Sequence, residues 1–373
     1  MRRLLLVGGG HAHLAVLAAL AARRPAGVEA LLVTPSPFQT YSGMLPGWMA
    51  GHYGLPACRI DLRPLAAAAG VKLRVARVGG MDADRRCVAV TDGAHLDYDL
   101  LSLDIGSEVD LSWLGAAGER VLPVRPIAAF AAAWDAVRQA AARQSRYELV
   151  VVGGGAAGVE LAMAAKYRLD RDGAPAAVTL VISEAGLLPG HAPGVVRRLR
   201  RLLVRRGIAL QQGHAAGTEG GLTFADGTRL PADAVIAATG ARAAGWLRLS
   251  KLALDEDGYI KVSAEHRSLS HGEVFAAGDT CSRQDTALTR SGVHAVHAGP
   301  VLAHNLLAVL QGIATRPYRP RRHSLYLMAA GSKYAVASWG PWSAEGAWVW
   351  RWKDWIDRGF IHRYTAPYQG TAS

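Results

Sequence analysis

The sequence predicts an α/β fold made of two similar parallel-sheet domains, the second inserted in the first, with a C-terminal extension. Three observations support this prediction. Residues 3–33 and 147–182 each have the pattern strand, glycine-rich turn, helix and strand. Each segment is followed by an Asp-Gly hairpin signal, and each hairpin leads into an apolar strand that ends in glycine. The length of 373 residues suits about two domains.

The two copies agree in spacing as well as in pattern. In the first copy Asp92 marks the hairpin and Gly106 ends the strand, and in the second copy these positions are Asp226 and Gly240. Each glycine falls 14 residues after its turn aspartate. A duplicated βαβ unit of this kind is typical of Rossmann-like dinucleotide-binding domains.

The second glycine turn carries the complete GxGxxG pattern, formed by Gly153, Gly155 and Gly158. The first glycine permits the tight turn, the second lets a pyrophosphate approach the backbone, and the third lets helix and strand pack closely. The pyrophosphate then lies at the positive end of the helix. The acidic residue expected after the next strand is Glu184, which favours a free ribose 2′-hydroxyl and hence NADH. The alternative is a solvated loop carboxylate.

The first glycine turn departs from this pattern. Gly8 and Gly10 match it, but His13 stands where the third glycine belongs. The next strand ends at Thr34 without an acidic residue, so ribose binding there would use Thr34, a backbone group or a remote residue. His11 and His13 are spaced like part of a metal site, but no acidic or thiol group lies nearby in sequence, and we predict no metal.

The rest of the chain connects and extends the two copies. Residues 126–143 are predicted to form a connecting helix, residues 271–279 a strand, and residues 293–310 a helix that Pro300 could bend. Residues 316–323 are a Pro- and Arg-rich linker. The predicted boundaries are 1–145 and 244–315 for the first domain, 146–243 for the inserted domain, and 316–373 for a Trp-rich C-terminal region.

Composition excludes several classes of protein. Half of the residues are hydrophobic, which excludes a mainly disordered chain. No run of about 18 apolar residues occurs, so a membrane-spanning helix is not expected. Cys58, Cys87 and Cys281 form no CxxC motif, and they indicate a cytoplasmic protein with neither a disulfide framework nor a zinc site.

The net charge of +12 is concentrated in part on one predicted helix. Residues 197–206 hold six arginines, and apolar residues at helical spacing place these arginines on the opposite face. This face is most simply a solvated surface. Binding to anionic lipid is an alternative, and binding to nucleic acid is not expected.

The C-terminal residues 339–363 have the composition of a membrane-interface helix. Aromatic side chains could share one side of such a helix, with basic residues interspersed to contact lipid phosphates. The aromatic residues are Trp348, Trp352, Trp355 and Phe360, and the basic ones are Arg351, Lys353, Arg358 and Arg363. The alternatives are that the tryptophans cover a bound cofactor or form a homodimer interface.

Together these motifs resemble the pyridine nucleotide-disulfide oxidoreductase superfamily, in particular the type II NADH dehydrogenases and sulfide:quinone oxidoreductases. The resemblance covers about residues 1–310 and rests on the two glycine turns, on Ala238-Thr239-Gly240 and on VFAAGD, which ends at Asp279. The stretches GGGHAHLAVL, YSGMLPGWMAGHY, YDLLSLDIGS and WKDWIDR also resemble a flavoprotein module that some organisms fuse ahead of selenophosphate synthase.

The resemblance implies an enzyme that binds FAD on the first domain and NAD(P)H on the second. Asp279 would bind the ribityl chain, residues 41–46 would form an apolar loop beside the flavin ring, and Glu160 would lie near the nicotinamide. Glu160 and His297 are the expected catalytic residues; a helix carboxylate and packed or solvated histidines are the alternatives. The expected cofactor-binding residues are Gly8, Gly10, His11, His13, Thr34, Ser42, Gly43, Met44, Leu45, Pro46, Gly106, Gly153, Gly155, Gly158, Glu184, Gly240, Gly278, Asp279 and His294.

The resemblance further implies that electrons pass from NADH through FAD to a quinone or similar small acceptor. No two cysteines lie close in sequence, so a redox disulfide is not expected. The alternative is a low-turnover flavoprotein partner or regulatory module linked to selenium metabolism. We expect the protein to be cytoplasmic, and to lie at the inner face of the membrane if residues 339–363 contact lipid.

Overall fold

Two five-stranded parallel sheets form the framework of the computed structural model, which describes residues 1–288 and 292–368. Matched strands of the two copies occupy matched places in the two sheets, and this confirms the predicted α/β fold with Rossmann-like cores. The order of strands in the first sheet is Val274–Ala276, Leu100–Leu103, Arg2–Val7, Val28–Thr34 and Val71–Val75. The order in the second sheet is Val121–Pro123, Ala234–Ala237, Tyr147–Val152, Ala176–Ile182 and Ala209–Gln212.

Each sheet has helices on one face and a small antiparallel sheet on the other. The Asp-Gly turns predicted from the sequence connect strands of these small sheets. The helices of the first domain are His11–Ala22, Leu62–Ala69 and Gly292–Gln311, and those of the second are Ile127–Arg143, Ala156–Arg171 and Pro193–Arg205. The small sheets are Val78–Asp82, Cys87–Val90 and His95–Asp97 in the first domain and Ala215–Thr218, Gly221–Phe224 and Arg229–Pro231 in the second.

Short elements join these layers. A helix, Leu45–Met49, packs against the core of the second domain although it follows the second strand of the first. Three two-stranded pairs complete the connections: Phe38–Thr40 with Arg59–Asp61, Glu108–Val109 with Ala241–Arg242, and Ile260–Val262 with Cys281–Arg283.

The helix Gly292–Gln311 is long and apolar enough to cross a membrane by length and composition alone. It packs along the helix His11–Ala22, where Gly299 lies so close that a Cβ there would stand 3.0 Å from the Cβ of Ala15. The helix continues through Pro300. The same length and composition are typical of a buried core helix, so they are weak evidence for a membrane span.

The C-terminal region forms a three-stranded antiparallel sheet followed by a long helix, which we call the C-terminal helix. The region packs on both domains, because Met328 and Val336 of its sheet join the second core while Phe360 and Tyr364 of its helix join the first. The strands are Leu325–Ala329, Ala335–Trp339 and Trp342–Gly346, and the C-terminal helix is Ala347–Thr365.

The arginine-rich segment forms the helix Pro193–Arg205, which we call the arginine helix. Part of its basic face contacts the C-terminal sheet, since Arg198 lies 3.2 Å from the carboxylate of Glu345 and Arg201 pairs with the same oxygen. Arg197, Arg200 and Arg205 are exposed, as the prediction of a solvated face expects, while Arg198 and Arg201 also make contacts within the protein. Two of these arginines tether the C-terminal region to the second domain.

The predicted membrane side of the C-terminal helix needs a correction. Phe360 and Lys353 are each only 8% exposed, so neither can face a lipid surface. Trp348 and Trp355 are 49% and 72% exposed, and Trp352 stacks on Trp348 with ring centroids 6.4 Å apart. The exposed aromatic side therefore consists of tryptophans alone, while Phe360 turns inward onto Tyr41.

His13 explains how the first turn dispenses with its third glycine. In the second copy a Cβ at Gly158 would run into the carbonyl oxygen of Gly153. In the first copy the fully buried His13 ring instead bonds the carbonyl of Gly8 through Nδ1 (2.6 Å) and the hydroxyl of Ser102 through Nε2 (2.9 Å). Burial lowers the pKa of His13 to about 4, so the ring is neutral and its Nδ1–H donates to Gly8.

Restoring the consensus glycine at this position should destabilise the protein. His13→Gly leaves a cavity and two unpaired polar groups, and we expect the free energy of unfolding to fall by about 3 kcal/mol or more. Urea denaturation followed by circular dichroism measures this change. His214→Gly, at an exposed position, is the control and should cost about 1 kcal/mol or less. Equal stability of His13→Gly and the wild type would contradict this account.

Candidate functional site

The second glycine turn offers an open position at the start of a helix. Gly153 has a φ of +136°, and a Cβ there would run into the carbonyl oxygen of Ala238. At Gly155, in contrast, no heavy atom lies within 4 Å of the place that a Cβ would take. The helix Ala156–Arg171 begins directly after Gly155, which provides no side-chain cap. Its first N–H groups therefore face open space that suits a phosphate.

The surroundings of this turn also suit a dinucleotide. Glu184 is exposed in the turn that follows the strand Ala176–Ile182. This loop is attached to the glycine turn, because the N–H of Leu188 donates to the carbonyl of Gly154 over 2.7 Å. Gly240 is exposed at the end of the neighbouring strand. The loop that carries Glu184 is thus attached to the glycine turn, and Gly240 follows the strand beside it.

The first glycine turn is filled by a side chain of the protein itself. Oδ2 of Asp104 accepts hydrogen bonds from the N–H groups of Ala12 (2.8 Å) and His13 (3.0 Å), at the start of the helix His11–Ala22. A Cβ at Gly10 would overlap this carboxyl group. Burial raises the pKa of Asp104 to about 7, against the lowering effect of the two N–H groups. Asp104 occupies the position that Ala238 has in the second copy.

A cavity of about 300 Å³ lies beside this turn. Its lining includes Gly278, Asp279, Cys281 and His294. Asp279 is held by Arg125, whose Nη2 donates to Oδ2 over 3.0 Å. Thr280, next to Asp279, contacts the end of the neighbouring strand, because its Oγ1 accepts a hydrogen bond from the N–H of Gly106 over 3.0 Å. The predicted residues Gly106, Gly278, Asp279 and His294 therefore come together at one edge of the first sheet.

The three histidines near this cavity have different surroundings. His294 lines it, and burial lowers the pKa of this ring. His297 is exposed beside Arg321 and does not line the cavity, so the structure does not support its predicted catalytic role. His11 packs against Tyr41 and Phe360, and its buried Nε2 has no hydrogen-bond partner among residues 1–288 and 292–368. Burial lowers the pKa of His11 to about 4.

The segment 41–46 is not the apolar loop predicted from the sequence. Ser42–Met44 form a 3₁₀ turn, and Leu45 begins the helix Leu45–Met49. Met44, Leu45 and Pro46 are buried, so they are packing residues rather than a surface beside a flat ring. Only Ser42 and Gly43 of the predicted contact set keep exposed surface. A Cβ at Gly292 would stand 3.5 Å from Oγ of Ser42, which places this segment at the start of the helix that carries His294.

Two further predicted ligands serve the protein itself. His13 points into the core of the first turn, where its ring bonds Gly8 and Ser102. Thr34 is 4% exposed, and its hydroxyl donates to the carbonyl of Ser36 over 3.2 Å. Neither side chain reaches open space. Both side chains therefore bond groups of the protein itself, and neither could contact a cofactor without a rearrangement.

A buried polar cluster joins the two domains to the C-terminal helix. Nζ of Lys353 donates to the carbonyl of Gly43 (2.6 Å) and to the carboxylate of Asp357 (2.7 Å). Glu160 faces the same cluster, and its Oε1 accepts the N–H of Ala329 over 2.7 Å. Burial raises the pKa of Glu160 to about 7, while the Lys353 ammonium group acts to lower it. Burial also raises the pKa of Asp357, which hydrogen-bonds Tyr41.

This cluster can hold and transfer protons near neutral pH. A carboxyl group with a pKa near 7, such as that of Glu160, exchanges its proton readily at that pH. Among the residues that the structure describes, no three His, Cys, Asp or Glu side chains group closely enough to bind a metal ion. The arrangement at Glu160 is suited to proton transfer.

Sequence reasoning missed Asp104, Arg125, Lys353 and Asp357. Asp104 could have been found by aligning the two copies, because an acid replaces the alanine of the second copy. Lys353 and Asp357 have the spacing of a helical ion pair, but their composition resembled a surface. No signal in the sequence places Arg125 beside Asp279.

Comparisons with known proteins agree with this geometry. The model of the pyridine nucleotide-disulphide oxidoreductase family matches residues 2–304. An NADH dehydrogenase-like protein of Mycobacterium tuberculosis is 29% identical, over 91% of this chain and 88% of the relative.

Two solved structures share the fold. The sulfide:quinone oxidoreductase of Aquifex aeolicus aligns with a TM-score of 0.81 at 15% identity, covering 98% of this chain and 92% of that one. NDH2 of Plasmodium falciparum in complex with NADH aligns with a TM-score of 0.81 at 12% identity, covering 99% and 98%. Members of the family bind FAD and NAD(P)H. Because the family model matches most of its length, the chain belongs to the pyridine nucleotide-disulphide oxidoreductase family.

Proposed function

We propose that the protein is an FAD-dependent NADH oxidoreductase that passes electrons to a quinone or similar small acceptor without a redox disulfide. The observation that carries this proposal is the open position at Gly155, where a helix begins in a complete dinucleotide turn. Glu184 lies one strand away and suits an unmodified ribose, which supports NADH as the donor. The NADH dehydrogenase-like relative supports the same reaction class.

The first domain has features that fit FAD. The buried Nε2 of His11 lacks a partner among the described residues, and the left-handed turn at Gly278 brings the backbone close to Asp104. Arg125 and Asp279 supply polar groups beside the cavity. We assign FAD to the first domain, held by Gly8, Gly10, His11, Gly106, Gly278, Asp279 and His294. We assign NADH to the second domain, which includes Val121–Pro123 and Ile127–Arg143 and therefore begins before the predicted residue 146.

When bound, FAD supplies two-electron redox chemistry between a nicotinamide and an acceptor. The protein's own part is to place the nicotinamide through the second glycine turn and to supply protons from the cluster at Glu160. Lys353 keeps the ionised form of Glu160 accessible, because its positive charge opposes the effect of burial. Lys353 itself is held by Gly43 and Asp357, so the C-terminal helix completes the site.

The cysteines support transfer without a redox disulfide. All three are free. Burial raises the pKa of the Cys58 thiol to about 12, so this group stays protonated and unreactive. Cys281 lines the cavity, but its Sγ is engaged with the carbonyl of Gly278 at 3.6 Å. The two-electron acceptor would therefore take electrons from the cofactor directly.

The exposed tryptophans of the C-terminal region support a membrane location at the inner face for this otherwise cytoplasmic protein. Trp339, Trp342, Trp348 and Trp355 are between 45% and 72% exposed, and Trp352 stacks on Trp348 beside them. Tryptophan is favoured at the lipid headgroup level, where a quinone would be available. Among the residues of this helix, Lys353 and Phe360 take no part in such contact because they are buried.

We predict that NADH bleaches the flavin of FAD-reconstituted protein under anaerobic conditions. Gly155→Val should weaken NADH binding by more than about tenfold, since its side chain fills the open position above the helix. The backbone at Gly155 (φ −76°, ψ 178°) is one that valine adopts without strain, so the fold should be unaffected. Absorbance near the flavin band measures both effects.

Gly115→Val is the matched control, because Gly115 is also exposed with no heavy atom within 4 Å of its would-be Cβ. It should titrate like the wild type. A flavin that NADH leaves oxidised would contradict the proposed function.

The cluster at Glu160 predicts a particular pH dependence for quinone reduction. If protonated Glu160 donates to the acceptor, the rate should fall as the pH rises above about 7, where this group loses its proton. Glu160→Gln should lower the rate about 10²-fold and remove this pH dependence. Steady-state oxidation of NADH with a soluble quinone, measured at several pH values, tests this.

Lys353→Met should raise the pH at which the rate of quinone reduction begins to fall. Removing the positive charge takes away the group that lowers the pKa of Glu160, so the fall in rate should begin at higher pH. A merely structural role for Lys353 would lower the rate without moving the inflection. An unchanged pH profile in both variants would exclude Glu160 as the proton donor.

The tryptophan surface predicts binding to anionic vesicles. Replacing Trp348 and Trp355 together by serine should reduce co-sedimentation with phosphatidylglycerol vesicles by about tenfold or more, because both side chains are exposed and apolar. Leu249→Ser is the control, since Leu249 is 79% exposed outside this region. Equal sedimentation of the double variant and the wild type would contradict membrane contact through these residues.

A further inference from the structure

The two glycine turns differ in what occupies the start of their helices. In the second copy the position at Gly155 is open, and Ala238 is the residue at the end of the adjacent strand. In the first copy the matching strand residue is Asp104, and its carboxyl group lies against Gly10 and accepts from Ala12 and His13. The same fold therefore presents one open phosphate position and one that already contains a carboxyl group.

A carboxylate and a pyrophosphate cannot both use this position without cost. Both are anions, and both are attracted to the same N–H groups at the positive end of the helix. Asp104 is 3% exposed, so water does little to screen the repulsion between them. Neutralising Asp104 removes the repulsion, and the new O–H group could then donate to a phosphate oxygen.

The other titratable groups around Asp104 do not compensate its charge. His13 and His11, on the adjoining helix, are neutral because burial lowers the pKa of each to about 4. Asp279, on the loop after Val274–Ala276, raises the pKa of Asp104 through its negative charge. Arg125 is the nearby cation, and it is paired with Asp279 over 3.0 Å.

We propose that Asp104 takes up one proton from solvent when the pyrophosphate of FAD binds at the first turn, so that flavin affinity is linked to pH. The proton adds to the Asp104 carboxylate and is released when the flavin dissociates. This inference rests on the proposed function in that FAD occupies the first domain. The carboxyl group of Asp104 also caps the helix His11–Ala22 through the N–H groups of Ala12 and His13.

The protonation state of Asp104 sets the direction in which FAD affinity changes with pH. The unbound protein keeps Asp104 protonated below about pH 7, where no proton needs to be taken up. Above that pH each unit should weaken FAD binding by up to about tenfold, because one proton must be recovered from solution. The pyrophosphate diester does not titrate near neutral pH, so the ligand contributes no slope of its own.

Isothermal titration calorimetry of the apoprotein with FAD tests this proposal. Titrations between about pH 6 and about pH 9, in buffers of different ionisation enthalpy, give both the affinity and the number of protons taken up. We expect uptake approaching one proton per FAD at the alkaline end. Asp104→Asn keeps an oxygen that accepts from Ala12 and His13, and it should bind FAD with no proton uptake and with an affinity independent of pH.

Asp226→Asn is the matched control, since Asp226 lies in the hairpin turn of the second copy, and it should behave like the wild type. FAD binding whose affinity is flat with pH in the wild type, or equally steep in Asp104→Asn, would overturn the inference while leaving the proposed function intact. Absence of FAD binding at every pH in both proteins would contradict the proposed function, and the inference with it.

Discussion

The burial of one ammonium group, that of Lys353, sets the arrangement of the whole site. A charged amine that is 8% exposed needs acceptors around it, and the structure supplies the carbonyl of Gly43 and the carboxylate of Asp357. Meeting this need fixes the C-terminal helix against the turn Ser42–Met44 of the first domain. The same placement stacks Phe360 on Tyr41 with ring centroids 4.4 Å apart. Part of the chain that the composition assigned to a surface is therefore internal to the site.

The duplication explains why the remaining groups meet. Parallel strands present their carboxyl ends at one edge of each sheet, so glycine turns and strand ends converge there. The two copies then differ at residues around the glycine turns. In the second copy, Gly158 and Ala238 leave the turn open. In the first copy, the buried His13 ring bonds the carbonyl of Gly8, and the Asp104 carboxyl group lies at the start of the helix. The two copies therefore present differently filled turns at the start of their first helices.

Local patterns were sufficient to predict the strands, the hairpins and the second glycine turn, because glycine spacing and apolar periodicity report directly on backbone geometry. They failed where a side chain's partner lies far away in sequence. The sequence predicts Lys353 as an interfacial cation, but the structure places its Nζ 2.6 Å from the carbonyl oxygen of Gly43. The sequence predicts His297 as catalytic and His294 as cofactor-binding, but of these two only His294 lines the cavity. The sequence predicts ligand contacts for Met44, Leu45 and Pro46, but the structure buries these residues. A short apolar segment has the same sequence pattern whether it contacts a ligand or packs against a second domain.

The central claim is that the flavin alone stores the electrons received from NADH, with no disulfide in the path. Counting the electrons that FAD-loaded protein accepts in an anaerobic dithionite titration tests this most directly. The account predicts complete reduction at about two electrons per chain, with the flavin band declining linearly from the first addition. Uptake of about four electrons, with a thiolate-to-flavin absorbance appearing at the halfway point, would show a redox-active cysteine pair and contradict it.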